Sequence, residues 1–258
     1  MRIIISPAKK MKTDTDIFTE RQLPQFLSQS ETLLAALKQL NYEELKSIWK
    51  CNDVIATLNA ERIREMDLTR NLTPALLSYE GIQYQYMAPG VLQMEELEYL
   101  QQHLRILSGF YGVLRPFDGV VPYRLEMQAK LAGPGFNSLY GFWNRQLADQ
   151  LFSESDCILN LASKEYSKCI SPYLGEDVRM VSCVFGQEIG GKVVERATFA
   201  KMARGEMVRF MAERQIRHVE EIKSFTGLDF AYAEELSGES TYVFIQRRAT
   251  STDTEISI

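Results

Sequence analysis

The segment "LSGFYGVLRPFDGVVPYRLEM", residues 107–127, holds three glycines, two prolines, two tyrosines and two arginines. Core packing does not require two arginines, and a surface turn does not require this length. Gly109 and Gly112 permit unusual dihedrals. Pro116 and Pro122 stiffen the chain beside Arg115 and Arg124. A guanidinium presents a planar fork that suits phosphate. Tyr111 and Tyr123 offer ring faces on which a base or sugar could stack. Asp118 and Glu126 supply the plainer alternative, internal ion pairs with the arginines.

Two further stretches have the layout of strand, polar loop and helix start. In "RIIISPAKK", Ser6 and Pro7 end a β-branched run, and Lys9 and Lys10 follow in the loop. In "CILNLASKEYSK", Asn160 and Ser163 can bond a ligand or cap the next helix, Tyr166 adds a ring and Lys168 a charge. Glu165 falls in the first helical turn. It is either a carboxylate favoured by the helix dipole or a candidate catalytic acid or base. Ligands of open α/β sheets gather at the carboxyl ends of strands, where both loops are expected.

On the helical stretch "ATFAKMARGEMVRFMAERQI", Phe199, Ala203, Met207 and Phe210 share one face and predict core. Lys201 and Arg209 lie opposite, with Arg204 on the flank and Gly205 between the cations. A helical glycine costs about 1 kcal/mol relative to alanine. On an exposed face it would admit a ligand or another backbone, or be merely tolerated. "LKSIWKCNDVIATLNAERI" fits a helix-hairpin-helix pattern, with Leu45 and Ile48 before the hairpin Lys50-Cys51-Asn52 and Ala56 after it. Such hairpins aim backbone N–H groups at a phosphate. The usual hairpin glycines are missing, and two ordinary helices are the alternative.

The elements that must position these residues intermix strands and helices. Helices are expected over 22–39, 43–66, "MEELEYLQQH" and "LYGFWNRQLADQLF", the last with Trp143, Leu147 and Leu151 buried. Strands are expected at "RIIIS", "LRILSG", "DCILNLAS" and "YVFIQRR", with a hairpin turning at Gly190-Gly191. Residues 67–92 carry Pro74, Gly81, Pro89 and Gly90 and read as irregular. The expectation is one mixed α/β domain over 1–248 and a disordered tail over 249–258.

The chain has 258 residues, 45% of them hydrophobic, enough for a core without staples. Its four cysteines include no CxxC pair, and there are only two histidines. This argues against a disulfide framework or a tight metal site, and for a reducing cytoplasm. No cofactor is implied. No apolar run approaches the ~20 residues of a membrane span. The net charge is −5, but residues 190–217 carry seven cations against three acids, and residues 1–12 carry four cations and no acid. That asymmetry suggests a basic patch on an acidic body.

"IIISPAK", "LSGFYGVLRPFDGVVPYRLEM", "LYGFW", "NLASKEYSK" and "AKMARGEMVRF" occur in the order and spacing of the YaaA family of bacterial peroxide-stress proteins, which the chain resembles from Met1 to about Arg248. The resemblance implies a cytoplasmic protein that limits damage from hydrogen peroxide by lowering unincorporated iron. It also implies an α/β domain of unusual topology with a basic cleft, a helix-hairpin-helix element at Lys50, Cys51 and Asn52, and binding to duplex DNA without strong sequence preference. It supplies no agreed reaction. One departure is "YEGIQYQYMAPG": relatives often read Gly-Asp-Val-Tyr, whereas Ile82, Gln83 and Tyr84 follow Gly81 here, so no role of that acidic residue carries over. The basic side chains would line one cleft for a nucleic-acid backbone. The second reading is an enzyme acting there on a nucleotide-like molecule, a base or a nucleic acid, with Glu165 as acid or base.

Overall fold

The structure is a computed structural model that describes residues 1–14 and 18–246. The first strand, β1 (Arg2–Ile5), buries three consecutive isoleucines completely. A strand buried on both faces needs such a continuous apolar run. The chain then makes a short β2 (Lys10–Met11) and crosses to three helices, α1 (Leu27–Lys38), α2 (Tyr42–Trp49) and α3 (Asp53–Glu65). The expected helix over 43–66 is therefore two. α2 opens with a capping box from Asn41 and Glu44 and stops where Lys50 adopts a left-handed φ of 45°. Asn52 restarts the helix by accepting the Ile55 N–H at 3.1 Å.

Residues 67–92, expected to be irregular, fold into short pieces: β3 (Thr73–Pro74), α4 (Ala75–Ser78), β4 (Tyr79–Glu80) and α5 (Ile82–Met87). None is long enough to show a period, which is why the breakers dominate the sequence there. Next come α6 (Met94–His103), β5 (Leu104–Ser108), β6 (Gly112–Leu114) and β7 (Gly119–Val120). The helix expected over "LYGFWNRQLADQLF" divides at Asn144 (φ 42°) into α7 (Leu139–Trp143) and α8 (Gln146–Glu154).

The remaining elements are β8 (Cys157–Leu161), α9 (Lys164–Ser167), β9 (Arg179–Ile189), β10 (Lys192–Val194), α10 (Ala197–Glu213), β11 (Phe230–Tyr232) and β12 (Thr241–Gln246). Gly190 and Gly191 make the β9–β10 turn with φ of 59° and 73°, values that favour glycine. The expected tail over 249–258 lies outside the described residues.

One eight-stranded sheet gathers strands from both ends of the chain in the order β11-β12-β9-β8-β1-β5-β6, with β10 paired to β9. The five strands from β12 to β5 are parallel, and the pairs at either side of them are antiparallel. β1 is central. The chain leaves it towards β5 on one side and later returns to β8 on the other. The strand order thus reverses between β1 and β8, where Ile5 stands beside Leu161. A crevice opens at the carboxyl ends of two such strands, because their connections depart in opposite directions.

Candidate functional site

The two polar loops meet at this crevice. Ser6 follows the last residue of β1, and its Oγ accepts the Ser163 N–H at 2.8 Å and donates to Ser163 Oγ at 3.2 Å. Ser163 holds the N-cap position of α9, yet its side chain does not cap the helix. It joins the loops instead. Tyr84 of α5 donates its hydroxyl to the Ser6 carbonyl at 3.0 Å.

A cavity of about 400 Å³ lies beside this joint, lined by Lys9, Lys10, Tyr123, Arg124, Ser163, Glu165, Tyr166, Lys201 and Arg204 among others. Residues separated by nearly two hundred positions thus converge. The segment through Arg124 explains part of this. Val121, Tyr123, Leu125 and Met127 are buried, while Pro122, Arg124 and Glu126 are half-buried. That alternation of period two turns Arg124 and Glu126 to the same side.

Arg124 Nη2 donates to the Trp49 carbonyl, the last of α2, at 3.4 Å. It pairs with neither Glu126 nor Asp118. Glu126 binds Lys9 at 2.5 Å, and Glu80 binds Lys10 at 2.8 Å. Arg204 is mostly buried, its nearest carboxylate being Glu195 at 3.6 Å. Burial lowers the pKa of Arg204, and Glu195 opposes the shift. Glu165 Oε1 accepts the Gln128 N–H at 3.1 Å. Burial pushes its carboxyl above the ordinary value, the charge of Glu126 adds to the rise, and the Gln128 N–H and Lys9 oppose it.

Three buried nitrogens on cavity-lining residues, Nε2 of Gln83 and the Nε atoms of Arg124 and Arg204, have no hydrogen-bond partner among the described residues. All three are donors. Gln83, Glu80 and Ile82 were not singled out by sequence reasoning; the only signal was the departure at "GIQ".

Several expectations are corrected. Arg115 lies at a separate cavity with Arg105, Asp118 and Glu154. Its backbone N–H, not its guanidinium, meets Asp118 at 2.9 Å. Tyr111 and Tyr123 are not stacking faces: both are buried, Tyr111 accepts the Val121 N–H, and Tyr123 bonds Tyr79 at 2.7 Å and Ser108 at 2.5 Å through its hydroxyl. Those rings hold the loop shut against the core. Gly205 is not on an exposed face. A Cβ there would meet the Gln83 carbonyl oxygen at 2.1 Å, so the glycine lets α10 pack on α5. Phe199, expected in the core, is exposed.

Asn160 is buried and spent on structure, donating to Ser182 and accepting the Ala162 N–H. Lys168 is exposed over the Tyr140 ring, 5.2 Å from its centroid. Lys50 and Asn52 form the exposed turn between α2 and α3. Among the described residues, no helix is long and apolar enough to cross a membrane, and no group of three or more His, Cys, Asp or Glu is arranged to hold a metal ion.

Residues 1–236 match the family model described as peroxide stress protein YaaA. Among curated relatives, a UPF0246 protein of Lachnoclostridium phytofermentans is 57% identical over 98% of this chain and 99% of its own. One from Pediococcus pentosaceus is 53% identical over 95% and 98%. Another from Desulfitobacterium hafniense is 52% identical over 96% and 99%. The motifs that converge on the cavity fall within the matched span, the identities run over nearly the whole chain, and the chain belongs to the peroxide stress protein YaaA family.

Proposed function

We propose that this protein acts in the peroxide-stress response by binding nucleic acid, holding the backbone by its phosphates and taking one nucleotide unit into the cavity. The observation that carries this reading is the convergence of Arg124, Lys201 and Arg204 on one cavity, with the nearest carboxylate to any of them among the described ion pairs being Glu195, 3.6 Å from Arg204. Three cations without a close carboxylate partner favour an oxygen-rich anion as their counter-charge.

Size favours a single nucleotide. A volume of about 400 Å³ lies within the range of small-molecule sites, about 300–1,000 Å³. A paired duplex would have to lie across the mouth. The turn at Lys50 and Asn52 suits a backbone phosphate there, and Arg124 ties that turn to the cavity through the Trp49 carbonyl. In this reading the family's effect on unincorporated iron runs through nucleic acid.

The test is a fluorescence titration with two duplexes of one sequence, one fully paired and one carrying an unpaired nucleotide. The unpaired form should bind at least tenfold tighter, and Arg204→Gln should erase the difference in protein that melts normally. Equal affinities, unchanged in Arg204→Gln, would remove the cavity from the reading.

A further inference from the structure

Resting on the nucleotide reading above, we infer that the cavity hydrolyses the glycosidic bond of the unit it holds, Glu165 protonating the leaving base and Glu126 steadying the sugar cation. Both carboxylates line the cavity that also carries Arg124, Lys201 and Arg204. A phosphate seeks the cations and is repelled by the acids. The acids therefore face the other part of the ligand, its sugar and base.

The spacing agrees. Arg124 and Glu126 turn to one side of an extended segment two residues apart. At about 3.3 Å per residue their Cα atoms stand roughly 7 Å apart, so a ligand held at the guanidinium extends past the carboxylate. Glu165 stands beside the next turn of this segment, bonded to the Gln128 N–H.

The two carboxylates also have different surroundings. Glu126 is ion-paired with Lys9 at 2.5 Å. Glu165 has no cation within ion-pair distance among the described residues, and burial beside Glu126 favours its protonated form. A carboxylate paired with a lysine and a second, buried carboxyl on the same cavity match the charge stabiliser and the acid of glycosidic cleavage through an oxocarbenium-like transition state.

The step balances without a redox partner. The C1′–N bond breaks, and its electron pair passes to the base nitrogen, which takes the proton of Glu165. The positive charge at C1′ develops against the carboxylate of Glu126. Water then adds to C1′ and returns a proton to Glu165. Nucleotide and water become free base and sugar phosphate.

The full chain should be incubated with the ribo- and deoxyribonucleoside 5′-monophosphates and with single-stranded DNA of mixed sequence. Free base is read by chromatography and binding by equilibrium dialysis. At least one probe should release base. Glu165→Gln should slow release by about 10²–10⁴-fold, the usual contribution of a general acid, while binding stays within a few-fold. Binding of one or more probes with release of base from none, or an undiminished rate in Glu165→Gln, overturns the cleavage and leaves the nucleotide site standing. Failure of every probe to bind removes both. Should Glu165→Gln not fold, Glu126→Gln decides: an undiminished rate in that variant also overturns the proposal.

Discussion

Arg124 lines the cavity, reaches the last carbonyl of α2 with Nη2, and has a buried Nε with no partner among the described residues. An ammonium is a point charge on a flexible stem and cannot serve two separate acceptors as a planar fork does. Arg124→Lys should therefore weaken binding of a phosphorylated ligand by about ten- to a hundredfold, the loss of one charge-assisted bond of about 1.5–3 kcal/mol. The melting temperature should hardly move, because no carboxylate among the described residues is paired with this guanidinium. A lowered melting temperature with normal affinity would make Arg124 a structural strut for α2. Asp118 invites a different test. Burial raises its carboxyl to about 6, against the opposing pull of the Arg115 N–H, Gln22, Arg115 and Arg105. The folded chain then holds this proton more tightly than the unfolded chain, whose Asp titrates near 3.9. Its stabilising contribution is complete below about pH 4 and is lost as pH rises through about 6, by up to about 3 kcal/mol. Denaturant titrations of the parent and Asp118→Asn across that window should diverge in favour of the variant as pH rises. A constant gap would mean that Asp118 does not titrate there.

At the scale of elements, the contact between α5 and α10 fixes where Gln83, Lys201 and Arg204 stand. Gly205→Ala would place a methyl 2.1 Å from the Gln83 carbonyl oxygen and 3.0 Å from the Met87 nitrogen. Backbone atoms of a packed helix cannot step aside cheaply, and overpacking typically costs about 1–3 kcal/mol. That outweighs the roughly 1 kcal/mol that alanine gains over glycine in an isolated helix. The urea midpoint should fall, and ligand binding with it, since Gln83 would be displaced. A higher midpoint would show that the helices are not in close contact. The glycine was visible in the sequence, but its purpose was not: a helix-interior glycine between cations fits a ligand and a neighbouring backbone equally well. The long strands and the Gly190-Gly191 hairpin were legible because period and turn chemistry are local. The pieces between Thr73 and Met87 were not, because two- to six-residue elements are set by tertiary partners such as β4 pairing with β2.

At the scale of the whole molecule, Lys9, Lys10, Arg124, Lys201 and Arg204 line one cavity at the carboxyl edge of the central sheet, beside Glu80, Glu126 and Glu165. The sequence disclosed the participants at that edge, since polar loops after β1 and β8 carry little that packing requires. It did not disclose which charges stay available. Lys9 and Lys10 are held by Glu126 and Glu80, and Arg115 belongs to another cavity. Tyr123 reads as a stacking ring until its hydroxyl is found among Tyr79 and Ser108. The remaining cations allow a quantitative forecast. A duplex lying across Lys50, Arg124 and Lys201 would meet roughly three phosphates. Its affinity should then fall with a log–log salt slope of about −2.7, roughly fortyfold between 50 and 200 mM. A mononucleotide inside the cavity carries no condensed counterion atmosphere and should lose far less over the same range. Lys50→Gln should make the duplex slope shallower by about one and leave the mononucleotide untouched. If duplex and mononucleotide share one shallow slope, the surface between the Lys50 turn and the cavity does not carry a nucleic-acid backbone, and only the pocket remains as a binding site.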